Sequence, residues 1–113
     1  MEINKKIVIA KDFSDSPGAR YVEDGEYSGE EFLNKILEPA FKEAISGDYK
    51  ILIDLDGVWG YPSSFISGSF GKLSLENGSD VVLRHIEFKS DDSETRLGEF
   101  IKEIKNPRTR EKK

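Results

Sequence analysis

The chain has 113 residues, 36% of them apolar and 35% charged, with a formal net charge of −5. That length suits one domain with one core and excludes two. No stretch approaches the ~18 consecutive apolar residues of a membrane span, and the absence of cysteine excludes a disulfide framework and thiolate chemistry. The charge is uneven: Lys105–Lys113 carries five basic residues and one acid, so the preceding residues are strongly acidic. An acidic body repels phosphate backbones, which argues against nucleic acid as a partner. The expected organisation is a single domain over residues 1–105 with a basic flexible tail at 106–113. The N-terminal MEINKKIVIA reads as a first strand rather than a signal peptide, and the expected location is the cytoplasm.

In chain order, Ile7–Ala10 predicts a short buried strand. Turn signals follow, and Ala19–Val22 offers a second strand that could pair with the first. Ser28 with Glu31 three residues later is a capping box. It opens a helix whose apolar face is Phe32, Leu33, Ile36 and Leu37. Pro39 should kink or split that helix near Leu37, and Gly47 should end its continuation through Phe41, Ala44 and Ile45. Ile51–Leu55 does not alternate and predicts a strand buried on both faces. A helix over 64–76 turns Phe65, Ile66, Phe70 and Leu73 inward, and Asn77-Gly78 stops it. Val81–Phe88 predicts another strand. The final helix is the clearest, with Leu97, Phe100, Ile101 and Ile104 at i, i+3, i+4 and i+7. Strands alternating with helices predict an α/β sandwich with a mostly parallel, mixed sheet of four to five strands and three to four helices.

The chemistry concentrates after the Ile51–Leu55 strand, because loops at strand carboxyl ends collect ligands in α/β folds. Ile53-Asp54-Leu55-Asp56-Gly57-Val58 resembles the first motif of the haloacid-dehalogenase phosphatases. That resemblance implies a magnesium-dependent phosphoryl transfer, with Asp54 as nucleophile and Asp56 as acid, and Asp91-Asp92 could pass for a late acidic motif. In that family, however, the motif lies on the first strand, whereas here a strand and a helix precede it. The simpler reading has both aspartates holding backbone amides of the turn that follows. Ser63 or Ser64 can cap the helix that follows, and phosphate at such a position would be favoured by free amides and the helix dipole. Trp59, Tyr61 and Phe65 read as an aromatic surface around those serines, with Asp56 and Arg20 beside it. Arg20 could pair with Asp54 or Asp56, or bind a phosphate near Ser63. The single histidine, His85, has no second histidine or cysteine with which to build a zinc site, and it reads as a packed residue.

Asp54-Leu55-Asp56-Gly57-Val58, then Pro62, Ser63-Ser64 and an apolar helix, resembles the STAS domain of anti-sigma-factor antagonists. Pro17-Gly18-Ala19-Arg20-Tyr21, Ser28-Gly29-Glu30-Glu31-Phe32, Pro39-Ala40-Phe41, Gly60-Tyr61, Ser64-Phe65 and Phe70-Gly71 extend the likeness. They bring it closer to the bacterial STAS-like domain of unknown function. The resemblance implies a STAS-like fold and a non-catalytic signalling module without cofactors. It implies as partner a histidine-kinase-type ATPase, an anti-sigma-like kinase, that phosphorylates the serine matching Ser63. Pro62 stands where those antagonists have an acid, and Phe65 where they have a glycine. A homodimer through Trp59 is a further alternative.

Overall fold

The apolar run after Lys50 becomes the central strand of a parallel sheet, flanked by the chain's first strand and by a short late one. A computed structural model describes residues 1–108. In chain order it contains β1 (Ile3–Val8), a one-turn helix α1 (Ile9–Asp12), helix α2 (residues 29–47), β2 (Lys50–Asp54), helix α3 (residues 63–77), α4 (Ser79–His85), β3 (Ile86–Lys89) and α5 (Glu94–Lys105). The strand order is β1-β2-β3, with both pairings parallel. The sheet among the described residues thus has three strands and no antiparallel member, where a mixed sheet of four to five was expected.

Ile51 and Ile53 of β2 are fully buried, in register with Ile7 on β1 and with Ile86 and Phe88 on β3. The alternate positions Lys6, Leu52 and Glu87 form the other face, which is half-buried to exposed. It is tied by ion pairs such as Lys50–Glu87 at 3.5 Å. The core therefore lies on one side of the sheet. It is built around Phe32, Phe65, Phe70 and Phe100, with ring centroids 5.7 Å apart for Phe32–Phe65 and 5.3 Å for Phe70–Phe100. Edge and tilted contacts of this kind contribute beyond the area they bury.

Three expected elements differ. The first strand starts at Ile3 and stops at Val8. Asp12 Oδ2 accepts the Val8 amide at 2.7 Å and curls Ile9 and Ala10 into a helical turn. Ala19–Val22 is not a strand. The carbonyls of Ala19 and Arg20 accept the Gly29 and Glu30 amides at 2.8 and 2.9 Å, satisfying donors that the start of α2 leaves unpaired. Val81–His85 is helical, and only Ile86–Lys89 pairs with β2. A short apolar run fits either period, and the chain leaving α3 spends most of it on the return to the sheet.

Other expectations hold locally. Ser28 Oγ accepts the Glu31 amide at 3.0 Å. Before Pro39, which has no amide hydrogen, α2 widens into a π turn over Leu33–Leu37, with the Glu38 amide reaching Leu33 O, and then continues. The left-handed residue after α2 is Asp48 (φ 59°), not Gly47. A Cβ on Gly47 would meet the Tyr49 ring at 2.7 Å. A second π turn, Ser67–Gly71, lies in α3. Between the helices Gly29 packs on Gly68: a Cβ on Gly29 would lie 2.5 Å from Phe65 O and 3.1 Å from Gly68 Cα.

Candidate functional site

The loop after β2 is pinned before it reaches solvent. Asp54 Oδ1 accepts the Asp56 amide at 3.0 Å, an Asx turn at the strand end. Its Oδ2 lies 3.7 Å from Lys89 Nζ and 4.0 Å from Lys6 Nζ. Asp56 reaches instead across to the loop after β3. It accepts the Asp91 amide at 2.8 Å, the Asp92 amide at 3.0 Å, Ser90 Oγ at 2.9 Å and Lys89 Nζ at 3.4 Å. The Asp91 amide is the largest of the causes that hold its carboxyl well below the usual carboxylate range, against an opposing effect of burial. In turn, the hydrogen bond to Asp91 raises the Lys89 ammonium above its ordinary value. Asp54 thus holds an amide of the following turn, as the simpler reading had it, whereas Asp56 holds amides of the loop after β3 instead. A general acid must carry a proton at working pH, and donors hold Asp56 ionised. The geometry therefore gives the phosphatase reading no support.

Arg96 is the residue that sequence reasoning missed. Its guanidinium donates to Val58 O at 2.9 Å and to Leu55 O and Trp59 O at 3.4 Å, and lies 5.2 Å from the Tyr61 ring centroid. Arg96, Phe100 and Glu103 share one face of α5 at helical spacing, so a charge on an inward position was the available signal. Tyr61 OH donates to Leu55 O at 2.9 Å, and its ring packs edge-on against Phe100. Burial raises its phenol above the ordinary value, with the Arg96 charge opposing.

Of the expected aromatic surface, Trp59 alone is bare, at 85% exposure, while its amide is held by Asp15 O at 2.9 Å. Phe65 is fully buried among Phe32, Tyr61 and Phe13. Tyr61 is half-buried, and Asp56 is occupied as described. The Arg20 guanidinium donates to Ser67 Oγ, and its backbone lies against Gly68. It is therefore a half-buried packing residue one helical turn beyond Ser63. His85 is packed: its Nδ1 lies 2.9 Å from Tyr49 O and its ring stands edge-on to Phe41.

The serines do not cap α3. Pro62 occupies the cap, and its carbonyl accepts the Phe65 and Ile66 amides at 3.0 and 3.3 Å. Proline before the helix has the extended backbone a cap needs, so the main chain takes the role expected of a hydroxyl. Ser63 is exposed and Ser64 half-buried, and among the described residues neither hydroxyl has a hydrogen-bond partner. Ser63 opens onto a groove of about 380 Å³ between α3 and α5, which Lys102, Glu103 and Arg108 also line. Of the expected tail, Arg108 is bound to Glu103, and residues 109–113 lie outside the described residues.

Among the described residues, no helix is long and apolar enough to cross a membrane, and no group of three or more His, Asp or Glu side chains is arranged to hold a metal ion. No curated protein and no solved structure matches the chain. The family model of the STAS-like domain of unknown function (DUF4325) matches residues 28–96, which take in α2, β2, the pinned loop, both serines and β3. The chain belongs to that STAS-like family.

Proposed function

We propose that this domain is a non-catalytic regulatory module, acting in the cytoplasm, that docks a protein partner through the loop 57–62 and is switched by phosphorylation at Ser63 or Ser64. The observation that carries the reading is Trp59. The chain's single tryptophan stands 85% exposed on a loop whose carbonyls and amide are otherwise fixed by Arg96 and Asp15. A large aromatic standing in water on a pinned backbone adds nothing to the core, and tryptophan is among the residues most enriched as interface anchors. The unbonded hydroxyls of Ser63 and Ser64, next along the chain, give a kinase accessible oxygens whose loss breaks no contact. The STAS likeness supplies the partner class, a histidine-kinase-type ATPase of the anti-sigma kind. The spent aspartates agree with a site that binds rather than reacts.

Trp59→Ala is expected to change folding stability by less than about 0.5 kcal/mol, as for other exposed positions. A photo-crosslinking residue at Gly60, where a side chain meets nothing within 4 Å, reads the docking in the native host. A discrete adduct that disappears in the Trp59→Ala background is expected. An adduct that survives that substitution, or no adduct at all, contradicts the docking surface. An adduct of twice the chain's mass selects the homodimer.

A further inference from the structure

The groove beside Ser63 is lined by an ion pair, Glu103 with Arg108, that plays no part in holding the loop after β2. Arg108 Nε donates to Glu103 Oε1 at 3.0 Å, and the Arg108 amide donates to Glu103 Oε2 at 2.9 Å. The remaining guanidinium arm, Nη2, donates to Ser63 O at 3.0 Å. Glu103 is 7% exposed and lies so close to Gly71 that a Cβ there would approach its Oε2 to 2.7 Å. One cation therefore bridges a buried carboxylate on α5 and the first residue of α3, beside an exposed hydroxyl with no partner among the described residues. Among the described residues, the charged side chains lining the groove are Lys102 and Arg108 against Glu99 and Glu103, a balanced set.

We propose that Arg108 is the internal reader of a phosphate on Ser63: it leaves Glu103 for the phosphoryl oxygens and so couples the switch to the end of α5. This inference rests on Ser63 being the acceptor in the reading above. In that modification the Ser63 oxygen bonds to the terminal phosphorus of a nucleoside triphosphate. The bridging P–O bond breaks, nucleoside diphosphate leaves, and the hydroxyl proton passes to a base of the kinase. The phosphate brings about −1.5 to −2 charges and three acceptor oxygens into the groove. Guanidinium binds phosphate through two parallel N–H donors, as it binds a carboxylate, and the phosphate carries the larger charge. The balanced groove becomes anionic, so Glu103 and the phosphate compete for Arg108.

The full chain made with phosphoserine installed at position 63 tests this by phosphorus NMR titration. Capture by Arg108 favours the dianion. The second phosphate pKa should then fall below its usual value of about 6 by roughly 0.5–1 unit, and Arg108→Ala should restore it. Exchange also predicts that Glu103→Gln lowers that pKa further, and by more with Arg108 present than in the Arg108→Ala background, a comparison that removes the plain effect of the lost charge. An unshifted pKa, a shift insensitive to Arg108→Ala, or equal effects of Glu103→Gln in both backgrounds overturns the proposal. Because the phosphate is installed, these outcomes do not depend on whether a kinase modifies Ser63. Failure of the parent reading shows separately, as an unmodified serine in the native host.

Discussion

Asp56→Asn is expected to lower folding stability by about 2–3 kcal/mol, although the substitution is nearly isosteric. The carboxylate accepts four donors, two of them backbone amides of the loop after β3. An asparagine turns one accepting oxygen into a donor and sets it against an amide that also donates. Hydrogen bonds to a charged acceptor contribute about 1.5–3 kcal/mol each when broken singly, and the rest of the network offsets part of that loss. The pH dependence has a definite sign. The folded-state carboxyl titrates below its ordinary range, so its contribution is complete above the unfolded value of about 4 and is lost as pH falls towards the folded one. Urea titrations should therefore show the gap between wild type and Asp56→Asn at full size near neutral pH and narrowing under acid. A variant as stable as wild type at neutral pH would mean that the clamp does not join the two loops.

Gly29→Ala should cost more, about 3 kcal/mol or above. The new methyl would meet backbone on the facing helix, 2.5 Å from Phe65 O and 3.0 Å from Gly68 C, and backbone cannot rotate away as a side-chain tip can. The first turn of α2 must then separate from the π turn of α3, loosening Phe32 from Phe65 and Phe70. Overpacking a well-filled core costs about 1–3 kcal/mol, and a backbone obstacle puts this position at or beyond the upper end. Gly98 is the internal comparison. It lies within α5 with nothing within 4 Å of a Cβ, so Gly98→Ala should raise stability by about 0.5–1 kcal/mol. Thermal or urea unfolding of the two variants side by side checks both signs, and a Gly29→Ala protein as stable as wild type would show that the helices can part without cost.

Local chemistry made much of the fold legible. Ser28, Asn77-Gly78 and the Leu97–Ile104 spacing marked helix ends and faces, because caps and periodicity depend on neighbours a few residues apart. What depended on distant partners was not legible. Ala19–Val22 looked extended, but its first two carbonyls serve the start of α2. The Val81–Leu83 run suited a strand until the sheet took only four residues from Ile86 onward. Asp56 draws its partners from residues 89–92, and a single sequence gives no sign of such a pairing. Phe65 carried two readings, inward by helical period and outward by its place beside the loop, and the period was the better guide. Trp59 was legible as a loop aromatic, whereas the fork of Arg96 that fixes its loop was visible only as a charge on an inward helical position.

The central claim is that the serines after the pinned loop are a phosphorylation switch. Peptide mapping by mass spectrometry across residues 61–72, on protein purified from its native host under several growth conditions, tests it most directly. The account predicts a fraction carrying one phosphate on Ser63 or Ser64. Complete coverage with both serines unmodified in every condition would contradict the switch and leave a constitutive docking loop built on Trp59.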